Sequence, residues 1–166
     1  RQDVRDDPLG LEPDQQELLQ SAFEFGAITA QDILIPLDKV VSIDSQSTQD
    51  QIATMIAAHK YSRFPVWDAR RGRVIGILQV NRFLTARLTG TYTRLRELLI
   101  PIRSYRSDMH IDDLMTQMNQ HRSHMALIAD ETGKALGLVT MEDILEELVG
   151  EIYDESDPAA EPAASL

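Results

Sequence analysis

"YSRFPVWDARRGRVIGILQVNRFL" (61–84) and "RSHMALIADETGKALGLVTMEDIL" (122–145) are one passage written twice. Laid over each other, residue n meets residue n + 61 without a gap. Ser62 meets Ser123, Gly72 meets Gly133, Gly76 meets Gly137 and Leu84 meets Leu145. Self-similarity at a fixed spacing marks a repeated supersecondary unit. Upstream, "ILIP" (33–36) faces "LLIP" (98–101). Between these anchors each copy carries a helical pattern, with Ile52, Met55 and Ile56 in one and Leu114, Met115 and Met118 in the other.

Each copy reads as an extended start, a helix, a strand, a glycine-containing turn, a second strand and a closing helix. Phe64 and Val66 alternate on one strand, "ARRG" (69–72) turns the chain, and "RVIGIL" (73–78) returns it. "HMALIA" (124–129), "DETG" (130–133) and "KALGLV" (134–139) do the same in the second copy. A single β-α-β-β-α unit leaves a sheet face uncovered. The expected fold is therefore α/β (α+β): two repeats packed sheet to sheet with pseudo-twofold symmetry. The expected boundaries are 28–90 and 91–153 for the copies. An amphipathic linker helix at 14–26 lies within 1–27, and a disordered acidic Pro/Ala tail follows at 154–166.

Composition narrows the functions open to such a chain. Its 166 residues include no cysteine, which excludes thiol catalysis, thiolate metal sites and a disulfide framework. The net charge is −11, and its distribution is uneven. Glu142 to Leu166 holds nine acids and no Lys or Arg, which leaves residues 1–141 close to neutral. Without a basic stripe to follow phosphates, nucleic-acid binding is not expected. No apolar stretch is long enough to span a bilayer. The chain begins at Arg1, as expected for a piece of a longer protein.

"GLVTMED" (137–143) raises the question of a site. Thr140 suits a helix N-cap, and Asp143 three residues on suits the returning half of a capping box. Ile144, Leu145, Leu148, Val149 and Ile152 then fall on one helical face. Capping alone does not account for the pair, because the other copy has Gln79 and Arg82 at the matching positions.

The paired passage resembles a tandem of cystathionine β-synthase (CBS) domains over about residues 28–153. "DILIP", "YSRFPVW", "RSHMALIADETG" and "GLVTMEDILEELVGEI" are similar to the CBS pair of CorC/HlyC-type, hemolysin-like membrane proteins and their cyclin-M relatives. The resemblance implies a regulatory module at the cytoplasmic face of the inner membrane. An upstream membrane domain would be associated with magnesium and cobalt transport or efflux. It further implies an adenosine nucleotide, AMP or ATP, in the cleft between the copies, Mg2+ as a companion of the nucleotide, and a homodimer formed through CBS helices.

Gly137, Thr140 and Asp143 match the family's Gly-x-x-Ser/Thr-x-x-Asp pattern, in which the acid accepts ribose hydroxyls and the threonine with helix N–H groups faces phosphate. By the same resemblance Tyr61, Ser62, Arg63, Phe64 and Pro65 form the opposing wall, with Tyr61 and Phe64 on adenine and Arg63 on phosphate. Ile35 stands where the family usually has threonine. The mirror-image position with Gln79 and Arg82 lacks the acid and is expected to be empty or weak. His121 and His124 straddle a turn, lack further ligands for zinc and point to no catalysis. With no nucleophile–base pair or Walker loop, the chain is not expected to be an enzyme. The alternatives are a ligand-free dimerisation scaffold and a regulatory module of a soluble enzyme.

Overall fold

A computed structural model describes residues 12–15 and 28–156. Apart from its first two residues, the expected linker helix at 14–26 lies outside the described residues, as does the tail beyond Ser156. The remainder divides into two compact units, each with its own core. One is Asp38–Arg103; the other joins the segment up to Leu37 with Ser104 onward.

In the Asp38–Arg103 unit, β2 (Ile43–Asp44) runs parallel to β3 (Arg63–Asp68), and β4 (Arg73–Gln79) lies antiparallel on β3. Helix α2 (Gln49–Ala58) makes the crossover from β2 to β3, and α3 (Val80–Thr89) follows β4 directly. Alternation along β3 buries Phe64 and Val66, which meet Ile43, Ile52, Leu78, Phe83 and Leu95 in one apolar cluster. The second unit repeats the plan. β5 (Ser104–Arg106) is parallel to β6 (Met125–Ala129), β7 (Ala135–Thr140) is antiparallel to β6, and α4 (Ile111–Gln120) and α5 (Met141–Ser156) accompany them. Its core joins Ile111, Leu114, Met118, Ala126, Ile128, Val139, Ile144 and Leu148.

The compact unit and the sequence repeat are cut in different places. A short helix α1 (Ala30–Ile33) leads into β1 (Ile35–Pro36), which opens the first copy yet pairs with β7 of the second: Ile35 is opposite Leu138 and Pro36 opposite Gly137. Reciprocally, Ile100, which opens the second copy, exchanges both backbone bonds with Ile77 of β4, at 2.9 and 2.8 Å. The repeated glycines are explained by this exchange. A Cβ on Gly137 would lie 2.3 Å from the Ile35 carbonyl oxygen, and one on Gly76 would lie 3.0 Å from that of Ile100. Each glycine clears the path for the crossing strand.

The ungapped spacing of 61 does not survive in the first half of each copy. Hairpin register places Val66 opposite Gly76 and Ile128 opposite Gly137. Val66 therefore corresponds to Ile128, a spacing of 62, while the returning strand keeps 61. The first N–H of each closing helix agrees: Val80 bonds the Ser62 carbonyl and Met141 that of His124, each at 2.9 Å. Ser62 thus corresponds to His124 rather than Ser123, and Asp68 to Asp130. The second hairpin turn is one residue shorter, a change a surface turn absorbs without moving a core residue.

Residues 90–99, between the two repeated passages, also contribute structure. Leu95–Leu98 forms a 3-10 turn, Leu95 is buried in the core, and Arg96 Nη2 reaches the buried carboxylate of Asp68 at 2.9 Å.

Candidate functional site

Thr140 ends β7 in register with Met125, and the next residue starts α5. The Thr140 Oγ1 accepts the Asp143 N–H at 3.1 Å, so the threonine is a helix cap as its sequence position suggests. The returning half of the capping box is not made. Asp143 Oδ2 is buried and has no hydrogen-bond partner among the described residues.

Two other helix starts in the same chain show what closure looks like. Asp32 Oδ2 accepts the Thr29 N–H at 2.9 Å, and Gln51 Oε1 accepts the Thr48 N–H at 2.9 Å. Asp143 occupies the same N3 position and leaves its carboxylate oxygen unused. A buried acceptor without a donor is costly. The arrangement suits a donor from a ligand, and a vicinal diol supplies two.

Ile35 and Gly137 belong to the same unit as this pair. Ile35 lies in β1 opposite Leu138, with its side chain half-buried, and offers no polar group at the place where a threonine hydroxyl was expected. Gly137 lies at the strand crossing, where a side chain would meet the Ile35 backbone. The unit's own counterpart of the "YSRFP" stretch is Ser123–Leu127. His124, for which the sequence suggests a structural or cleft-edge role, holds the first N–H of α5 with its carbonyl and so sets the position of the Thr140–Asp143 turn. The ungapped alignment hid this equivalence by one residue.

The remaining expected residues lie in the Asp38–Arg103 unit. Tyr61 is exposed and stacks on His59 at 5.4 Å, and Phe64 meets Tyr61 at 5.6 Å between ring centroids. Phe64 and Pro65 are buried, Phe64 in the unit's own core, which is the ordinary packing role. Ser62 is exposed; its carbonyl accepts the Val80 N–H. Arg63 is half-buried, and its Nε has no hydrogen-bond partner among the described residues. Gln79 caps α3 with no side-chain bond, and Arg82 beyond it is exposed. The second copy's pair therefore has no equivalent here.

Among the described residues no group of His, Asp and Glu is arranged to hold a metal ion, and no helix is long and apolar enough to cross a membrane. His121 and His124 are both exposed.

Comparison with known proteins identifies the repeated unit. The family model for the CBS domain matches residues 30–88 and again 99–150. The UPF0053 protein YhdP of Bacillus subtilis is 36% identical over 138 residues, covering 81% of this chain and 31% of the relative. The magnesium and cobalt efflux protein CorC of Vibrio cholerae is 31% identical over 159 residues, 93% of this chain and 54% of the relative. The chain thus spans between about a third and about a half of the length of these relatives. Among solved structures, the CBS domain of the bacterial CNNM/CorC family Mg2+ transporter in complex with ATP superposes with a TM-score of 0.69 at 27% identity, covering 83% of this chain and 99% of that one.

Proposed function

The chain belongs to the CBS-domain family, and from that premise we propose that it is a regulatory module binding an adenosine nucleotide through Asp143 and Thr140. The observation that carries the proposal is the buried, unpartnered Oδ2 of Asp143 beside a capped helix start. The carboxylate would take the ribose hydroxyls, while Thr140 and the first N–H groups of α5 would face phosphate. Tyr61, Ser62, Arg63, Phe64 and Pro65 are proposed as further contacts, with the unpaired Arg63 Nε suited to phosphate. The ATP complex of the similar transporter domain supports the choice of ligand. In this reading the module catalyses nothing. It sits at the cytoplasmic face of the membrane and passes the state of its ligand to a transport domain for a divalent cation.

Magnesium enters as a companion of ATP. Glu142, Asp143 and Glu146 crowd the start of α5 with like charge, and a divalent ion on the phosphates would offset that repulsion. The module is also proposed to dimerise through its closing helices. Of the helix faces Ile52/Met55/Ile56 and Leu145/Leu148/Val149 suggested by the apolar pattern, Ile52 and Leu148 are buried, Met55 and Ile56 are half-buried, and Leu145 and Val149 are exposed. Among the described residues, Leu84 and Leu88 on α3 and Leu145 and Val149 on α5 are exposed, at equivalent positions of the two copies.

Calorimetric titration with AMP, and with ATP in the presence and absence of Mg2+, tests the reading. One nucleotide per chain is expected, with ATP strengthened by Mg2+. Absence of heat or displacement with every adenosine nucleotide would leave the ligand-free scaffold as the correct function. Equal ATP affinities with and without Mg2+ would remove the metal from the proposal.

A further inference from the structure

Charge is segregated between the two units. Asp38–Arg103 holds eleven Lys and Arg against five Asp and Glu, a net +6. Residues 28–37 with 104–156 hold three against thirteen, a net −10. The positive charge is concentrated at the β3–β4 turn, where Arg70, Arg71 and Arg73 are all exposed.

Asp68 organises this end of the unit. Its side chain is only 1% exposed, and it accepts the backbone N–H groups of Arg70 and Arg71 at 3.0 and 3.4 Å. It also accepts Arg96 Nη2 at 2.9 Å, with Arg71 Nε at 3.7 Å. The 3-10 turn bearing Arg94 and Arg96 is thereby held against the hairpin. Arg70 and Arg73 have no side-chain partner among the described residues. Trp67, the chain's single tryptophan, is half-buried next to Asp68.

The turn itself does not require arginine. Its equivalent in the other unit is bracketed the same way, with Asp130 Oδ1 accepting the N–H groups of Thr132 and Lys134 at 2.9 and 3.0 Å, yet it reads "DETGK". Two turns of like construction therefore carry opposite surface character, one clustered guanidinium and the other mixed charge.

We propose that the β3–β4 turn of the Asp38–Arg103 unit, with Arg70, Arg71, Arg73 and Arg96, docks on a membrane surface bearing anionic phospholipid. Guanidinium groups match phosphate geometry, and clustered basic residues gain attraction close to an anionic leaflet. The chain's overall −11 does not oppose this, because charges farther off than a Debye length of about 8 Å are screened at physiological ionic strength. A tryptophan beside the cluster suits the headgroup region. The similarity to transport proteins selects a lipid surface over a nucleic acid.

The 166-residue chain is mixed with phosphatidylcholine vesicles, or with vesicles containing about 30% phosphatidylglycerol, and followed by co-sedimentation and Trp67 emission. Binding is expected to the anionic vesicles only, weakening steeply as salt rises from about 50 to 200 mM. Arg70→Glu with Arg73→Glu, which leaves the Asp68 contacts in place, is expected to reduce binding at least about tenfold. Lys134→Glu in the equivalent turn is expected to leave it unchanged. The same double variant keeps its circular dichroism and its ATP titration, so failure here is distinguishable from failure of the nucleotide reading. Lack of preference for anionic vesicles at low salt, full binding by the double variant, or displacement by a DNA duplex at matched phosphate concentration would each overturn the proposal.

Discussion

Asp143→Asn separates a helix cap from a ligand site because it should leave stability nearly unchanged and nucleotide affinity greatly reduced. The bond from the Asp143 N–H to Thr140 Oγ1 belongs to the backbone of residue 143 and survives the change. What the folded protein loses is the favourable placing of a negative charge at a helix start, about 0.3–1 kcal/mol. What it gains is the exchange of a buried charged oxygen without a donor for a neutral amide, which is cheaper to bury but still unpaired, a gain of about 1 kcal/mol or less for this half-buried residue. The two effects offset, and the expected melting temperature is close to that of the wild type. Nucleotide affinity falls instead. Charge-assisted bonds to ribose of roughly 1.5–3 kcal/mol correspond to a ten- to a hundredfold loss. Asp32→Asn is the control, since its carboxylate closes the box on Thr29 at 2.9 Å. That variant should lose about 0.5–1 kcal/mol of stability and keep its nucleotide affinity. Paired thermal melts and ATP titrations give both readouts. Unchanged affinity in a folded Asp143→Asn chain would refute the assignment of ribose to this residue.

Gly137→Ala should destabilise the fold by about 1–3 kcal/mol in denaturant unfolding, because the new methyl group would stand 2.3 Å from the Ile35 carbonyl and cannot move aside from a backbone atom. Gly72→Ala, at φ +63° in open space, meets only conformational strain and should cost about 1–2 kcal/mol. Burial raises the Asp68 carboxyl, but the bonds from Arg96 and the backbone N–H groups of Arg70 and Arg71 outweigh it and hold the group below its ordinary 3.8. Its stabilisation is then complete above that value and lost as pH falls through the lower folded one. Arg96→Ala should shrink that acid-side loss and lower the melting temperature more than Arg94→Ala, whose partner Glu97 is exposed. Leu88→Glu with Val149→Glu should convert the dimer to monomer in light scattering with the circular dichroism retained, and a wild-type chain that is monomeric at high concentration would remove the dimer from the proposal.

Local signals made most of the elements legible. Phe64 and Val66 in the core cluster, period-3.6 apolar faces on the helices, and turns marked by Gly72 and Gly133 all appear in the structure where the sequence places them. Thr140 and Asp143 were readable as a pair because the other copy lacks them. The one-residue offset between β3 and β6 was not readable, since identical letters at Ser62 and Ser123 favoured the ungapped match over the register of hairpin bonds.

The sequence by itself determined that a β-α-β-β-α unit occurs twice, which strands alternate, and which helix start carries the threonine and the acid, because these follow from side-chain size and spacing along a short stretch of chain. Tertiary structure decided the rest. Only there do β1 and Ile100 cross to the other copy's sheet, which makes Gly76 and Gly137 points of backbone clearance. Only there does Asp143 differ from Asp32, although both occupy N3 behind a threonine cap: one carboxylate oxygen is satisfied and the other is buried without a donor. Pairing partners, burial and local field depend on which distant segments meet, and that is settled by the sheet register and the core rather than by any window of sequence.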